Sequence, residues 1–535
     1  MKTSRHIGTP RLPHGCVALL LLAALQWGCA EPEDVPSAPE PGGTLRIVLL
    51  EPFDFLTPVR AVEPLTLQFM EHITPPLGRV DERGSIEWVM AKRAGETLGG
   101  LHFRLRRASW EDGVRVTAQD FVRTTQMMLH PGAPGFERSR FGLVKDVEAV
   151  DDSTLFFELL EFLPQRHLDA LIMPLPAHIV GEDADPRRLL EWPITRKPLS
   201  CGPFRVAEST PHRLTLERSL ASGFTPPYLE RVEVRTTNAD TALAVLRAGA
   251  VDVIEDLPFD RVPEAAAVRD ARLVALVGAS YLFVGWNLRD ARLADPSVRR
   301  AAAQAVDTDR IIRDLVHGQG DPSRGPVVPV MGIPDTTALL PYDREAARRQ
   351  LDRAGWRDED GDGVRERRGS RLAFHLLVPD DAPLRRRLAA EVAGDLRQVG
   401  IRVEVRPLPI QALVARVEQG GFEAFVGRWY PGARHFEAVW HSEATHRFNY
   451  GGFSNPEVDS LLQRLRYAEP GFRRQALLTQ LQTRIYSLQP YLFLIQDPRF
   501  VVFADRVEGA RPSVVSTFWN LPEWWIPRAR QRTPH

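Results

Sequence analysis

The period of the hydrophobic positions changes along this chain. From Gly43 onward, the chain reads as short runs punctuated by Pro and Gly, including T-L-R-I-V-L-L (44–50) and L-H-F-R-L-R (101–106), the latter with apolar residues at alternate positions, which predicts strands. In V-T-A-Q-D-F-V-R-T-T-Q-M-M-L-H the spacing of Phe121, Val122, Met128 and Leu129 predicts a helix, with Thr117 as its N-cap. The later half alternates the two periods. Leu384, Leu388, Val392, Leu396 and Val399 form one helical face behind Asp381 and Pro383, and Gly400 stands where a left-handed C-terminal residue belongs. The strand I-R-V-E-V-R follows, then the helix I-Q-A-L-V-A-R-V-E-Q, then Gly420-Gly421 and F-E-A-F-V-G. A strand, helix, strand, helix, strand series from Leu372 to Gly427 predicts a parallel sheet with right-handed crossovers. Upstream, Asp343 caps a helix containing Ala347 and Leu351, and Gly355-Trp356 ends it with Trp356 folded back on Leu351.

The N-terminus reads differently. Lys2, Arg5 and Arg11 precede an apolar run from Val17 to Leu25, too short to span a membrane but suited to a secretory signal over residues 1–28. Gly28-Cys29 closes the run like the lipobox of bacterial lipoproteins, although Gln26 and Trp27 depart from its usual residues, so Cys29 is expected to carry a lipid. Residues 29–43, rich in Pro, are expected to form an extended tether that holds the protein at a membrane surface. Loss of Cys16 with the signal and lipidation of Cys29 would leave Cys201 without a disulfide partner. No later apolar run reaches the length of a membrane span.

With 535 residues, 44% hydrophobic and 26% charged, the composition fits two or three globular domains. Removing the signal leaves 65 basic and 69 acidic residues, a net charge of −4 that argues against a nucleic-acid partner. No H-E-x-x-H, G-x-S-x-G or G-K-[ST] signature is present, so nothing nominates a catalytic nucleophile and base. Two clusters invite metal readings. The D-E-D-G-D-G loop (358–363) resembles the front of a calcium loop, but its twelfth position is Gly369 and no second helix follows. His435, Glu437, His441, Glu443 and His446 lie within twelve residues, as a transition-metal group or as a solvated face. Trp286, Trp429, Tyr430, Trp440, Tyr450 and Phe453 gather around Y-L-F-V-G-W-N and G-R-W-Y-P-G, as core or as ligand platform.

One family accounts for these segments together. F-R-L-R-R-A-S-W-E-D-G-V-R-V-T-A-Q-D-F-V resembles a signature of the extracellular solute-binding proteins of family 5, the peptide and nickel ABC-importer group. In the family's order follow P-L-S-C-G-P-F-R-V, L-R-A-G-A-V-D-V, D-P-S-V-R-R-A-A-A-Q-A-V-D-T-D-R-I-I, Y-D-R-E-A-A-R-R-Q-L-D-R-A-G-W, G-F-E-A-F-V-G-R-W and G-F-S-N-P-E-V-D. The resemblance covers nearly the whole mature chain, and within it a G-W followed by D-x-D-G-D-G is a turn out of a capped helix.

The resemblance implies an α/β fold of two periplasmic-binding-protein-like lobes (type II, large cluster with an extra N-terminal subdomain), with mixed sheets joined by hinge strands. Lobe I would comprise 44–80, 196–280 and 500–535, with an inserted subdomain at 81–195, and lobe II 281–499. Y-L-F-V-G-W-N-L would cross into lobe II and Y-L-F-L-I-Q-D-P-R-F-V-V would return. The family's pockets imply Trp286, Asn287, Arg428, Trp429, Tyr430, Gly432 and Tyr450 as ligand-binding residues. Peptide-binding members carry an Asp where Gly432 stands, so another acid such as Glu437 would have to face a ligand's ammonium group, or the ligand lacks one. Arg428 could hold a carboxylate or phosphate, or make a surface salt bridge. The expected function is that of an ABC importer's substrate-binding component: an exported monomeric lipoprotein, with no catalysis, cofactor or resident metal, that delivers an oligopeptide or similar solute to a permease. Alternatives are a nickel-type metal-chelate binder, with His435, His441 and His446 near its ligand, or a secreted hydrolase.

Overall fold

The computed structural model describes residues 38–531, apart from 51–55, 58–63, 82–85, 98, 131–143, 161–171, 182–183, 221, 332–336, 430–434, 445–447 and 470. The predicted signal, Cys29 and most of the tether therefore lie outside the described residues.

Two large sheets organise these residues. The first has seven strands in the spatial order Ala271–Leu276, Arg499–Ala504, Val253–Ile254, Thr44–Leu49, Arg231–Thr236, Arg213–Arg218 and Phe204–Thr210. The second has six, in the order Asp321–Pro322, Tyr491–Gln496, Tyr281–Trp286, Ala424–Trp429, Ala373–Pro379 and Arg402–Leu408. Buried apolar side chains cover both faces of each sheet, which is why the central strands read as near-continuous hydrophobic runs. A four-stranded antiparallel sheet, Ala91–Thr97, Gly100–Leu105, Thr154–Leu159 and Val144–Asp151, packs on the helix Ala118–Leu129 around Phe103, Trp110, Phe121 and Phe157. Asp120 anchors that helix: its buried carboxylate accepts from the backbone N–H of Thr117 at 2.7 Å and of Ala177 at 2.8 Å.

The strand and helix series from Leu372 to Gly427 folds as its pattern predicts. Ala373–Pro379 pairs in parallel with both Arg402–Leu408 and Ala424–Trp429, and the intervening helix Pro383–Arg397 buries Leu388, Val392 and Leu396. Gly400 has φ +84°, and Trp356 is buried with its N–H on the Leu351 carbonyl at 2.9 Å. The six-stranded sheet is mixed because Tyr281–Trp286 joins it antiparallel on both sides.

The chain passes between the two sheets twice, side by side. It leaves the first at Leu276 and enters the second at Tyr281; it leaves the second at Gln496 and re-enters the first at Arg499. The crossing segments pair antiparallel on either side of the gap, and the Asp497 N–H donates to the Ser280 carbonyl at 3.1 Å within it. Two short connectors in register make a hinge, where a few backbone torsions can reorient one lobe against the other.

Candidate functional site

At the hinge end of the second sheet, Trp429 is the cross-strand partner of Tyr281. The side chains of Tyr281, Phe283, Phe425 and Trp429 stand on one face of the sheet, and Tyr491 and Phe493 extend that face. The rings of Phe283 and Tyr491 stack 4.2 Å apart, 7° from parallel, and Trp429 is stacked between Phe283 at 6.0 Å and Tyr450 at 6.3 Å. Phe448 meets Trp429 edge-on at 5.6 Å and remains 44% exposed. The result is an aromatic shelf, buried at its root and open at its edge, that offers π faces to apolar or cationic groups. Burial raises the Tyr450 hydroxyl to about 12, so it stays a neutral donor at the shelf.

A polar cluster occupies the hinge beside it. Arg428 pairs with the buried Asp497 in the return connector, and Arg499, two residues further on at the start of the strand Arg499–Ala504, stands 3.4 Å from the buried Glu255. Glu255 also accepts from the Thr517 hydroxyl at 2.9 Å, and the Thr517 N–H donates to Gln68 at 2.9 Å. Burial is the largest influence on both acids. It raises Glu255 to about 7 and Asp497 to about 6, against the pull of Arg499 and Arg428, with Asp256 raising both further. Among the described residues, each carboxylate keeps one oxygen without a donor, Oε2 of Glu255 and Oδ1 of Asp497. Nearby, His317 Nε2 contacts the Phe259 carbonyl at 3.1 Å and Leu384 packs against the cores of both lobes.

The expected ligand residues divide. Trp429 and Tyr450 come together on the shelf. Trp286 does not join them: five positions from Tyr281 on a strand of period two, it points to the opposite face, where it is buried edge-on to Phe374 at 5.8 Å. Asn287 is also spent internally, its amide donating to the Phe422 carbonyl at 2.7 Å and its oxygen accepting from the Arg289 N–H at 3.2 Å. Arg428 makes neither a free anion site nor an exposed salt bridge, because its partner is the buried Asp497. Tyr430, Gly432 and His446 lie outside the described residues. His435 opens the helix His435–Trp440, which carries Glu437, and His441 Nδ1 accepts from the Glu443 N–H at 3.2 Å.

Among the described residues, the one group of three donor atoms within metal-binding reach is Asp358, Asp360 and Glu366. These oxygens already serve the turn. Asp358 accepts from the Gly361 and Gly363 N–H groups at 2.8 and 3.1 Å, Asp360 from Asp362 at 3.1 Å, and Glu366 from Glu359 at 3.1 Å. Sequence reading missed Glu255 and Asp497. The available signal was an acid at the end of an apolar run, V-I-E (253–255) and Y-L-F-L-I-Q-D (491–497).

Four similarities bear on this arrangement. Residues 95–442 match the family model "Bacterial extracellular solute-binding proteins, family 5 Middle". The oligopeptide-binding protein AppA of Bacillus subtilis is 26% identical over 467 residues, covering 84% of this chain and 85% of the relative. The structure of that AppA in complex with a nonapeptide superposes with a TM-score of 0.75 at 23% identity, covering 92% of this chain and 100% of the other. NikZ of Campylobacter jejuni in complex with Ni(L-His) gives 0.74 at 20% identity, covering 90% and 99%. These neighbours share the two-lobed fold of periplasmic binding proteins, and the family model spans most of the inserted sheet, the first of the two connectors and most of the second lobe. The chain therefore belongs to the bacterial extracellular solute-binding proteins, family 5.

Proposed function

We propose that this protein is the substrate-binding component of an ABC importer, enclosing an oligopeptide or similar extended solute between its lobes and delivering it to a membrane permease. The observation that carries this reading is the aromatic shelf of Trp429, Tyr450 and Phe448 at the end of a sheet reached only through the paired hinge connectors. Closure about such a hinge would bring the first lobe over the shelf and exclude water from a bound chain. The division into lobe I (44–80, 196–280, 500–535), an inserted subdomain (81–195) and lobe II (281–499) follows the same logic. The protein works as an exported monomer held to a membrane by a lipid on Cys29. Trp429 and Tyr450 contact the ligand, together with Tyr430 and Gly432.

Native mass spectrometry of protein from its own host, together with a thermal-shift screen of peptides, sugars and metal chelates, tests the reading. Peptides of several residues should raise the melting temperature by mass action. A shift with metal chelates alone would replace the peptide by a nickel-type ligand. Turnover of a peptide, abolished by one side-chain change, would favour the hydrolase.

A further inference from the structure

On the face of the second lobe opposite the shelf, the helices Pro296–Ala305 and Arg344–Arg353 lie against each other. Their inner faces, with Val298, Ala301, Ala305, Ala347 and Leu351, share the core that holds Trp286. Their outer edges enclose a groove of about 540 Å³ lined by Arg300, Arg349 and Arg353 with Ser297, Gln304 and Gln350, and no Asp or Glu lines it.

The nearby acids are engaged elsewhere. Asp352 pairs with Arg365, Glu345 with Arg348, and Asp295 with Arg367. Asp343 caps the second helix through the Ala346 N–H at 2.8 Å and stands 3.9 Å from Arg349. Among the described residues, the Arg353 side chain has no hydrogen bond or ion pair, and the Arg300 side chain reaches only the Ser487 carbonyl, at 3.4 Å. Arg349 and Arg353, four apart on one helix, repel each other, a spacing that destabilises an isolated helix. Three guanidinium groups with almost no counter-charge match an acceptor with several charged oxygens.

We propose that this groove binds a phosphate-bearing polyanion, either a soluble polyphosphate compound or the headgroups of an anionic membrane. The two sources separate by experiment on the purified full chain. Isothermal titration with inorganic diphosphate at low salt tests the soluble source, and co-sedimentation with phosphatidylglycerol against phosphatidylcholine vesicles tests the lipid. The variant is Arg349→Gln with Arg353→Gln, and Arg187→Gln with Arg188→Gln on the exposed surface of the inserted subdomain is the charge-matched control. Any lipid anchor is common to all forms, so differences between them report the groove.

Diphosphate binding that weakens about tenfold or more in the double variant, and with added salt, assigns a soluble ligand. Selective sedimentation with phosphatidylglycerol that the double variant loses, without diphosphate binding, assigns the headgroup. A melting temperature in the double variant no lower than in the native chain establishes that the fold is intact. Absence of binding in both assays, or equal losses in the groove double variant and the Arg187/Arg188 double control, overturns the proposal.

Discussion

Gly427 lies directly across the sheet from Phe283, whose ring fills the space a side chain at position 427 would need: a β-carbon there would stand 2.4 Å from the ring. The next cross-strand pair on that face repeats the device, with Gly285 opposite Phe425 and a β-carbon 2.6 Å from its ring. Each glycine lets an aromatic ring lie flat over the neighbouring strand, and that position allows Phe283 to stack with both Trp429 and Tyr491.

Gly427→Ala should therefore destabilise the protein by about 1–3 kcal/mol, because neither the strand nor the ring can retreat in a packed interior. Gly394, inside the helix Pro383–Arg397 with nothing within 4 Å of its would-be β-carbon, provides the opposite case. Gly394→Ala should stabilise by about 0.5–1 kcal/mol through helix propensity. Urea denaturation of the two variants checks both signs.

Trp429→Ala should weaken binding of the best peptide from the screen by about tenfold to a hundredfold, as expected for an aromatic anchor, with Trp429→Phe recovering part of the loss. Trp286→Phe should leave the affinity unchanged while lowering stability, because the Trp286 ring is buried on the other face of the sheet. Calorimetric titration and thermal melts of the same preparations separate the two effects.

Glu255 makes stability depend on pH. Its carboxyl is raised from 4.5 to about 7, so the folded protein holds this proton more tightly than the unfolded chain does. The stabilisation is full below pH 4.5 and is lost as the pH rises through about 7. Glu255→Gln removes that loss. The variant should gain stability relative to the native chain between about pH 5 and 8, by up to about 3 kcal/mol, in melting curves recorded at each pH. A difference that stays flat with pH would show that Glu255 is not buried in the native protein.

Asp497 distinguishes a lost charge from a lost partner. Its carboxyl is raised from 3.8 to about 6, so Asp497→Asn should be tolerated near neutral pH. Asp497→Ala leaves Arg428 facing a gap and should cost about 1–3 kcal/mol, less than a fully buried pair because the Arg428 side chain is 31% exposed. The hinge position adds a second readout: Asp497→Ala should also change the ligand-induced contraction seen by small-angle scattering.

Much of the second lobe was legible because its elements are locally specified. The face Leu388, Val392, Leu396 needs no knowledge of the rest of the chain to read as a helix, and Gly400 and Gly355 adopt positive φ where their helices end. The Asp loop was legible for the same reason, since its carboxylates bond to backbone N–H groups two to seven residues away. Trp286 was not. Its strand is buried on both faces, so no polar alternation marks which face is which. Only its register against Ala424–Trp429 places it opposite the shelf.

The sequence by itself determined many of the strands and helices and the collinear family segments, because these rest on local periodicity and order along the chain. Tertiary structure alone decided which aromatic residues share a surface and which charges face each other. Glu255 and Arg499 are brought together by strand pairing across more than two hundred residues. Arg428 and Asp497 meet where a strand of one sheet ends beside the hinge. Period-two parity and long-range register set these contacts, and neither can be read from residues taken one segment at a time.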